Sequence, residues 1–439
     1  GFATDGHQYI AKALANGAAA VLCQRRPAEA CAYVQTEDSR RALAVIGGNW
    51  FGHPAEEMTM IAVTGTCGKT TTTYLLKAIL EQARGAKVGL IGTNQNMIGS
   101  DVIPTERTTP ESFEVQKLFR EMADAGCTHV VMETSSHALY LDRVYGVRYD
   151  VGIFTNLTQD HLDFHKTMEN YCDAKAILFR NCVTGVVNAD DPWTPRLLKD
   201  ADCKVMTYAE QADADLRAEN IVLSAGGIAF DAVSGAERVP IRVNIPGGFM
   251  VYNTLDVLGA ALALGISLEE SAAVLAKVPH VKGRVEIVPT PGKDYTILID
   301  YAHTPDSMVN VLQTVKEFAK GRTVAVFGCG GDRDRTKRPL MGKAAADWSD
   351  FAVVTTDNPR TEEPEAIIAD ILPGFDGSAT PYHVVVDRIE AIHWAMDHAE
   401  ADDVIVLCGK GHETYQEVNH VKHHMDEREI VADYLSSGR

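Results

Sequence analysis

The chain has 439 residues, too many for one hydrophobic core, so two or three domains are expected. Its composition, 46% hydrophobic and 23% charged, is that of a soluble globular protein, and a net charge of −19 excludes a general nucleic-acid or anionic-membrane surface. No apolar run is long enough for a transmembrane helix, and nine cysteines without CxxC pairs or metal-ligand spacing point to reduced thiols in a cytoplasmic protein. The chain starts at Gly1 inside what reads as a folded segment, so an N-terminal part is expected to lie outside it.

Three textures follow one another. Residues 1–57 read as the remainder of a small α/β domain. It has a helix at Gln8–Asn16, a strand at Ala18–Leu22 and a helix at Ser39–Phe51 that His53-Pro54 ends. In residues 58–286, apolar runs at Ile61–Val63, Val88–Ile91, His129–Met132, Val151–Phe154 and Gly185–Asn188 alternate with helical stretches. That pattern predicts a parallel sheet covered on both faces. Between 203 and 245, short alternating runs with Gly226-Gly227 and Ser234-Gly235 turns predict a small antiparallel sheet, and a helix follows at Thr254–Leu264. From 287 to 439 the α/β alternation restarts, with strands at Thr296–Ile299, Thr323–Phe327, Ala352–Thr355, His383–Val386 and Val404–Leu407. Ligands bind at the carboxyl ends of such strands. The loops to watch are therefore Asp300–Asp306, Gly328–Lys337, Thr356–Arg360 and Gly409–Glu413.

The run Thr64-Gly65-Thr66-Cys67-Gly68-Lys69-Thr70-Thr71 joins the strand at Ile61–Val63 to an amphipathic helix. Strand, glycine turn and helix form a phosphate-binding loop: the backbone wraps an oxyanion and the helix N-terminus points N–H groups at it. Lys69 can reach the β and γ phosphates, and the Thr70 hydroxyl can ligate Mg²⁺. The general Walker spacing needs a glycine where Val63 stands, so the match is to a shorter loop. Glu133, at the end of the next apolar strand, is a metal-binding carboxylate or a helix cap beside Ser135 and Ser136. His161 and His165 would share a helix face, but no third zinc ligand stands out. Lys175 taken alone is an ordinary helix lysine. The loop from Gly328 to Asp334 lacks the third glycine of a dinucleotide turn. Arg338 and Arg360 sit in Pro-framed strand-end loops and could grip a carboxylate.

Taken together, these motifs resemble the Mur ligase family. The likeness is carried by the Thr64–Thr70 loop, Glu133–His137, Thr155–Asp163, Asp173-Ala174-Lys175 and Gly283–Glu286. In the last third it is carried by Asp300–Asp306, Gly328–Asp334, Lys337–Gly342, Asp357–Arg360 and Gly409–Glu413. It implies an α/β protein of three domains: a partial N-terminal domain, a central P-loop ATPase domain with a parallel sheet, and a C-terminal Rossmann-like domain. It implies an ATP-dependent amide ligase of peptidoglycan precursor synthesis, which adds meso-diaminopimelate to UDP-N-acetylmuramoyl-L-Ala-D-Glu through an acyl phosphate.

The resemblance also implies residue roles. Gly65, Thr66, Cys67, Gly68, Lys69, Thr70, Thr71 and Asn253 would bind ATP. Thr70, Glu133, His161 and a carbamylated Lys175 would hold Mg²⁺, and Lys69, Glu133, His161 and Lys175 would be catalytic. Thr108, Thr109, Ser135 and Arg143 would bind the UDP-linked substrate. Arg338, Asp357, Asn358, Pro359, Arg360, Gly409 and Glu413 would bind diaminopimelate, and His303 is a candidate base for the amine. Small-molecule substrates, no nucleic acid, no membrane insertion and a cytoplasmic monomer complete the expectation. Cys67 and Met250 stand where the family commonly has Asn, and Arg107 and Leu141 replace commonly polar residues. The rivals are a lysine-adding ligase, a folylpolyglutamate synthetase, a P-loop ATPase and a regulatory nucleotide-binding module.

Overall fold

The computed structural model describes residues 4–105, 107–224, 226–278 and 281–437; the side chain of Asp163 lies outside the described set. The chain packs into two compact units, 1–207 and 208–439.

The first unit begins with a 3₁₀ turn at Gly6–Tyr9 and a helix at Ile10–Ala15, followed by a parallel pair, β1 (Val21–Cys23) and β2 (Tyr33–Gln35). The strand expected at Ala18–Leu22 thus forms three residues later, where β2 supplies hydrogen-bonding partners. Sequence reading missed β2, a short and exposed strand. The helix Ser39–Phe51 matches its expectation. Asp38 caps it by accepting the N–H groups of Arg40 and Arg41, and Gly52 ends it in the left-handed conformation.

The main sheet of this unit contains β3 (Thr59–Thr64), β4 (Val88–Ile91), β5 (Asn96–Ile98), β6 (Asp101–Ile103), β7 (His129–Glu133), β8 (Tyr149–Phe154) and β9 (Cys182–Asn188). Their order is β9-β8-β3-β7-β4-β5-β6, parallel from β9 to β4. The β5–β6 hairpin at the edge is antiparallel. The central strands are almost wholly buried, which explains their continuous apolar runs. The Lys69–Arg84 helix presents Leu75, Leu76, Ile79 and Leu80 to the interior at helical spacing.

Strand β10 (Lys204–Ala209) runs from the end of the first unit into the second and leads into β11 (Leu216–Ser224), β12 (Gly227–Ser234) and β13 (Glu237–Val243). β11, β12 and β13 are antiparallel as expected, but Tyr208 and Ala209 pair with β11 in parallel, which corrects the expectation of a purely antiparallel layer. The helix expected at Thr254–Leu264 starts a turn and a half earlier, at Phe249. The last sheet contains β14 (Glu286–Val288), β15 (Thr296–Asp300), β16 (Thr323–Phe327), β17 (Phe351–Val354), β18 (Tyr382–Val384) and β19 (Val404–Cys408), in the order β14-β15-β19-β16-β17-β18. All neighbours are parallel except β14, which was not expected and runs antiparallel to β15. Alternate residues feed two cores. Leu298, Ala325, Phe327 and Val406 face one side, and Ile297, Ile299, Val326 and Ile405 the other. A hairpin of β20 (Tyr415–Val418) and β21 (Val421–His424) follows, turning at Asn419-His420 with positive φ at both residues. Among the described residues no helix is long and apolar enough to cross a membrane.

Candidate functional site

In the first unit, the chain leaves β3 into the Gly65–Gly68 loop and enters the Lys69–Arg84 helix. Gly65 has φ 154°, and a Cβ there would lie 1.8 Å from Thr155 Oγ1. Only glycine allows that close approach. The loop is braced from the end of β8. Thr66 N donates to Asn156 O at 2.9 Å, Cys67 N to Asn156 Oδ1 at 3.0 Å, and Thr155 Oγ1 to Cys67 O at 2.6 Å. The Cys67 side chain is exposed, and its main chain does the bracing. Behind the brace, Asp191 accepts the N–H of Leu157 at 2.7 Å and Asn188 Nδ2 donates to Thr155 O at 3.0 Å.

Lys69 Nζ folds back onto the carbonyls of Gly65 and Thr66 at 2.9 and 2.8 Å. Lys175, fully buried, reaches the same Gly65 carbonyl at 2.7 Å, with its Nζ 4.4 Å from the Tyr171 ring centre. Burial, then the nearby Lys69 cation, holds the Lys175 pKa well below the usual lysine value. The helix Met168–Ala176 places it there, and Arg196 clamps Asp173 of the same helix bidentately at 2.8 and 2.7 Å.

Glu133 ends β7 and is buried. Its Oε1 accepts Thr70 Oγ1 and Thr93 N, both at 2.9 Å, and its Oε2 accepts Thr93 Oγ1 at 2.9 Å. Thr93 also meets Thr108 at 2.9 Å. Sequence reasoning missed Thr93, which lies just after an apolar run with no motif to flag it. Thr109 Oγ1 donates to the Glu133 carbonyl at 2.8 Å and accepts Ser135 N at 3.2 Å, while Arg143 Nη1 reaches Thr109 O at 3.0 Å. Thr108, Thr109, Ser135 and Arg143 thus form one connected patch beside Glu133. His161 sits at a positive φ of 53° before a short helix, its ring 4.7 Å from His137 and 6.1 Å from Tyr171. His165 is buried against Ser136 Oγ at 2.9 Å, its ring 5.3 Å from His137 and 5.1 Å from Tyr171. Among the described residues no group of three or more His, Cys, Asp or Glu is placed to hold a metal ion. Thr70 and Glu133 instead offer hard oxygen donors in hydrogen-bonding contact, which suit Mg²⁺.

In the second unit, polar loops gather at the carboxyl ends of β15, β16, β17 and β19. Lys410 is buried and donates to Asn358 Oδ1 at 2.8 Å and Glu413 Oε2 at 2.6 Å, and Asn358 Nδ2 donates to Glu413 Oε2 at 3.0 Å. This closed triangle ties the Asp357–Arg360 loop to the Gly409–Glu413 loop. Gly409 has φ 112°, and a Cβ there would meet Asp357 Oδ2 at 2.5 Å. Arg360 donates from Nη1 to Gly331 O at 2.8 Å and pairs through Nε with Glu417 at 3.3 Å.

Arg338 is buried and engaged by Glu362 and Asp370, with Nη1 at 2.9 and 2.8 Å and Nη2 2.7 Å from Glu362. Arg338 in turn holds the Glu362 carboxyl down at a pKa of about 2, assisted by the N–H of Asp332. The exposed Arg333, unmarked by sequence reasoning, flanks Gly330 together with Arg360. The Tyr301 ring packs between His303 and His412, at 4.6 and 4.9 Å and tilted by 56° and 47°. Burial, with Arg284, Lys282, Arg428 and Lys410 around it, pushes the His412 pKa down to about 4. Asn253 lies buried in the Phe249–Ala263 helix, its amide 3.7 Å from Met250 Sδ.

A family model described as the Mur ligase middle domain matches residues 63–261, and one described as Mur ligase, glutamate ligase domain, matches residues 283–411. The chain is 48% identical over 441 residues to the UDP-N-acetylmuramoyl-L-alanyl-D-glutamate–2,6-diaminopimelate ligase of Clostridium botulinum, covering 99% of this chain and 91% of that relative. It is 49% identical over 438 residues to ligase 1 of that name from Clostridium acetobutylicum, covering 99% and 90%. A solved structure of a UDP-N-acetylmuramoyl-L-alanyl-D-glutamate–2,6-diaminopimelate ligase is similar at TM-score 0.73 and 34% identity, over 98% of this chain and 89% of that one.

Proposed function

We propose that this chain, which belongs to the Mur ligase family, is an ATP-dependent ligase that joins an amine of meso-2,6-diaminopimelate to the D-glutamyl carboxyl of UDP-N-acetylmuramoyl-L-alanyl-D-glutamate. The observation that carries the reading is the Asp357–Arg360 loop. Lys410 and Glu413 anchor it at a strand end, and it presents an arginine beside Gly330.

Residues 1–57 and 58–286 serve the UDP-linked substrate and ATP, and residues 287–439 the amino acid. Thr108, Thr109, Ser135 and Arg143 hold the UDP-linked peptide. The Gly65–Thr71 loop holds ATP, and Lys69 leaves the loop carbonyls to meet its β and γ phosphates. Thr70 and Glu133 would hold Mg²⁺, which neutralises phosphate charge so that a carboxylate can approach. A D-glutamyl oxygen bonds to the γ-phosphorus as ADP leaves. The amine nitrogen then bonds to the acyl carbon and gives up a proton to a base, and the acyl C–O bond breaks as phosphate leaves with that oxygen and the electron pair.

Burial favours the free-base form of Lys175, the form whose lone pair adds to carbon dioxide with loss of a proton, which supports a carbamate there as a metal ligand with His161. Arg360 meets the distal carboxylate of diaminopimelate, and Glu413 accepts an ammonium. Arg333 is the second cation with an open side; Arg338 acts from behind, steadying Gly330 through its carbonyl at 3.4 Å. His303 is held by the Tyr301 carbonyl at 2.7 Å, and desolvation keeps it below the usual imidazole pKa, which favours the neutral form that can take the amine proton. The reaction belongs in the cytoplasm, with a monomeric enzyme.

Phosphate release with ATP, the UDP-muramoyl dipeptide and a panel of amino acids tests the proposal. Release should require both substrates and favour meso-diaminopimelate over lysine. Hydrolysis independent of any amino acid would defeat the ligase reading, and equal rates with lysine would defeat the specificity.

A further inference from the structure

Arg360 is the only residue of the Asp357–Arg360 loop with positive φ, at 52°. A non-glycine residue holds that conformation only when its surroundings impose it. Here the β20–β21 hairpin does so. Arg360 N donates to Glu417 O at 3.0 Å, and Asn419 N donates to Arg360 O at 2.7 Å, so Arg360 pairs beside Val418 as a one-residue third strand. The same hairpin grips the rest of the loop: Gln416 Nε2 donates to Asp357 O at 2.8 Å and Glu417 N to Asn358 Oδ1 at 2.8 Å.

One contact in this zipper is made by a side chain to the guanidinium itself. Glu417 Oε2 lies 3.3 Å from Arg360 Nε, and the two side chains are mostly buried, at 17% and 21% exposure. With Nη1 on the Gly331 carbonyl at 2.8 Å, the guanidinium is gripped at two nitrogens, and its plane is set before any ligand arrives. We propose that Glu417 is a specificity-determining positioning residue, which aims Arg360 at the distal carboxylate of the amino-acid substrate. The inference rests on the reading under Proposed function that Arg360 meets that carboxylate.

The backbone bonds of the hairpin do not involve the Glu417 side chain. Truncating it therefore releases the guanidinium while the loop stays tied. Lysine has no distal carboxylate, so an Arg360 aimed wrongly matters for diaminopimelate and not for lysine.

The test uses the full chain with saturating ATP and UDP-muramoyl dipeptide, and measures kcat/KM for meso-diaminopimelate and for lysine in Glu417→Ala, Glu417→Gln and Arg360→Ala. Loss of one charge-assisted contact predicts that Glu417→Ala lowers kcat/KM for diaminopimelate about tenfold, mainly through KM, and leaves lysine within about twofold. Glu417→Gln keeps the side chain's size but not its charge and should recover only part of the loss, because the contact is an ion pair. Equal losses for both substrates in Glu417→Ala would overturn the inference and mark a general structural role. Unchanged discrimination in Glu417→Ala, beside lost discrimination in Arg360→Ala, would overturn it alone. Unchanged diaminopimelate kinetics in Arg360→Ala would overturn the reading on which it rests.

Discussion

Arg388→Met removes one partner of a fully buried ion pair. Arg388 and Glu427 are both 0% exposed, with Arg388 Nη2 2.8 Å and Nε 2.9 Å from Glu427 Oε1. Arg388 also donates to the carbonyls of Thr356 at 3.3 Å and Cys408 at 2.8 Å, the residues just before Asp357 and Gly409. Breaking a buried pair by deleting one partner costs about 3–5 kcal/mol, because the remaining charge is uncompensated. Burial already pushes the Glu427 pKa up, and Arg388 opposes that rise; without Arg388 the rise is larger. A carboxyl whose folded pKa exceeds its unfolded value contributes stability below the unfolded pKa and loses it as pH rises through the folded one. The deficit of Arg388→Met should therefore be larger at pH 8 than at pH 5.5, because lowering the pH favours the protonated form of Glu427. The double variant Arg388→Met/Glu427→Leu should recover most of it, since an apolar pair of similar volume costs little. Urea unfolding followed by circular dichroism at both pH values measures this, read as a shift in midpoint at constant slope. A deficit under about 1 kcal/mol at pH 8, or one that does not change with pH, would refute the buried-charge argument.

Thr155→Val deletes the hydroxyl that braces Cys67 O and should raise KM for ATP about fivefold to tenfold with the fold intact, as loss of one hydrogen bond predicts; an unchanged KM would show that the brace is dispensable. If Lys175 works as a carbamate, enzyme stripped of carbon dioxide should lose activity and regain it with bicarbonate, and Lys175→Ala should be inactive yet partly rescued by small carboxylic acids. Arg333→Ala should raise KM for diaminopimelate while leaving thermal stability unchanged. Arg338→Met should instead destabilise by about 1–3 kcal/mol, since it removes a buried guanidinium's hydrogen bonds to Glu362 and Asp370, which stay partly exposed and keep Asp332 N and Arg335; melting curves and KM values together separate the two arginines.

Much of the fold was legible because parallel strands buried on both faces leave unbroken apolar runs, as at Val88–Ile91 and Thr323–Phe327, whose bounds match. The short edge elements were not. β2, β5, β6 and β14 have three residues each, and the stability of such strands comes from partners distant in sequence. The β20–β21 hairpin does carry a local signal, alternating residues around Asn419-His420, but one without glycine.

By itself, the sequence determined the glycine loop between β3 and the Lys69–Arg84 helix, the carboxylate at the end of β7 and the arginine-bearing loop after β17. These depend on local order: strand, turn, helix, and a polar residue where a buried strand stops. Only the tertiary structure decided which charges are available. Arg338 and Arg360 look alike in sequence, yet one is buried between two carboxylates and the other is aimed by a hairpin that begins 55 residues later. Lys175, an ordinary helix lysine by its neighbours, becomes a depressed-pKa amine on Gly65 O. Desolvation and pairing are set by residues that meet in space, and spacing along the chain does not encode them.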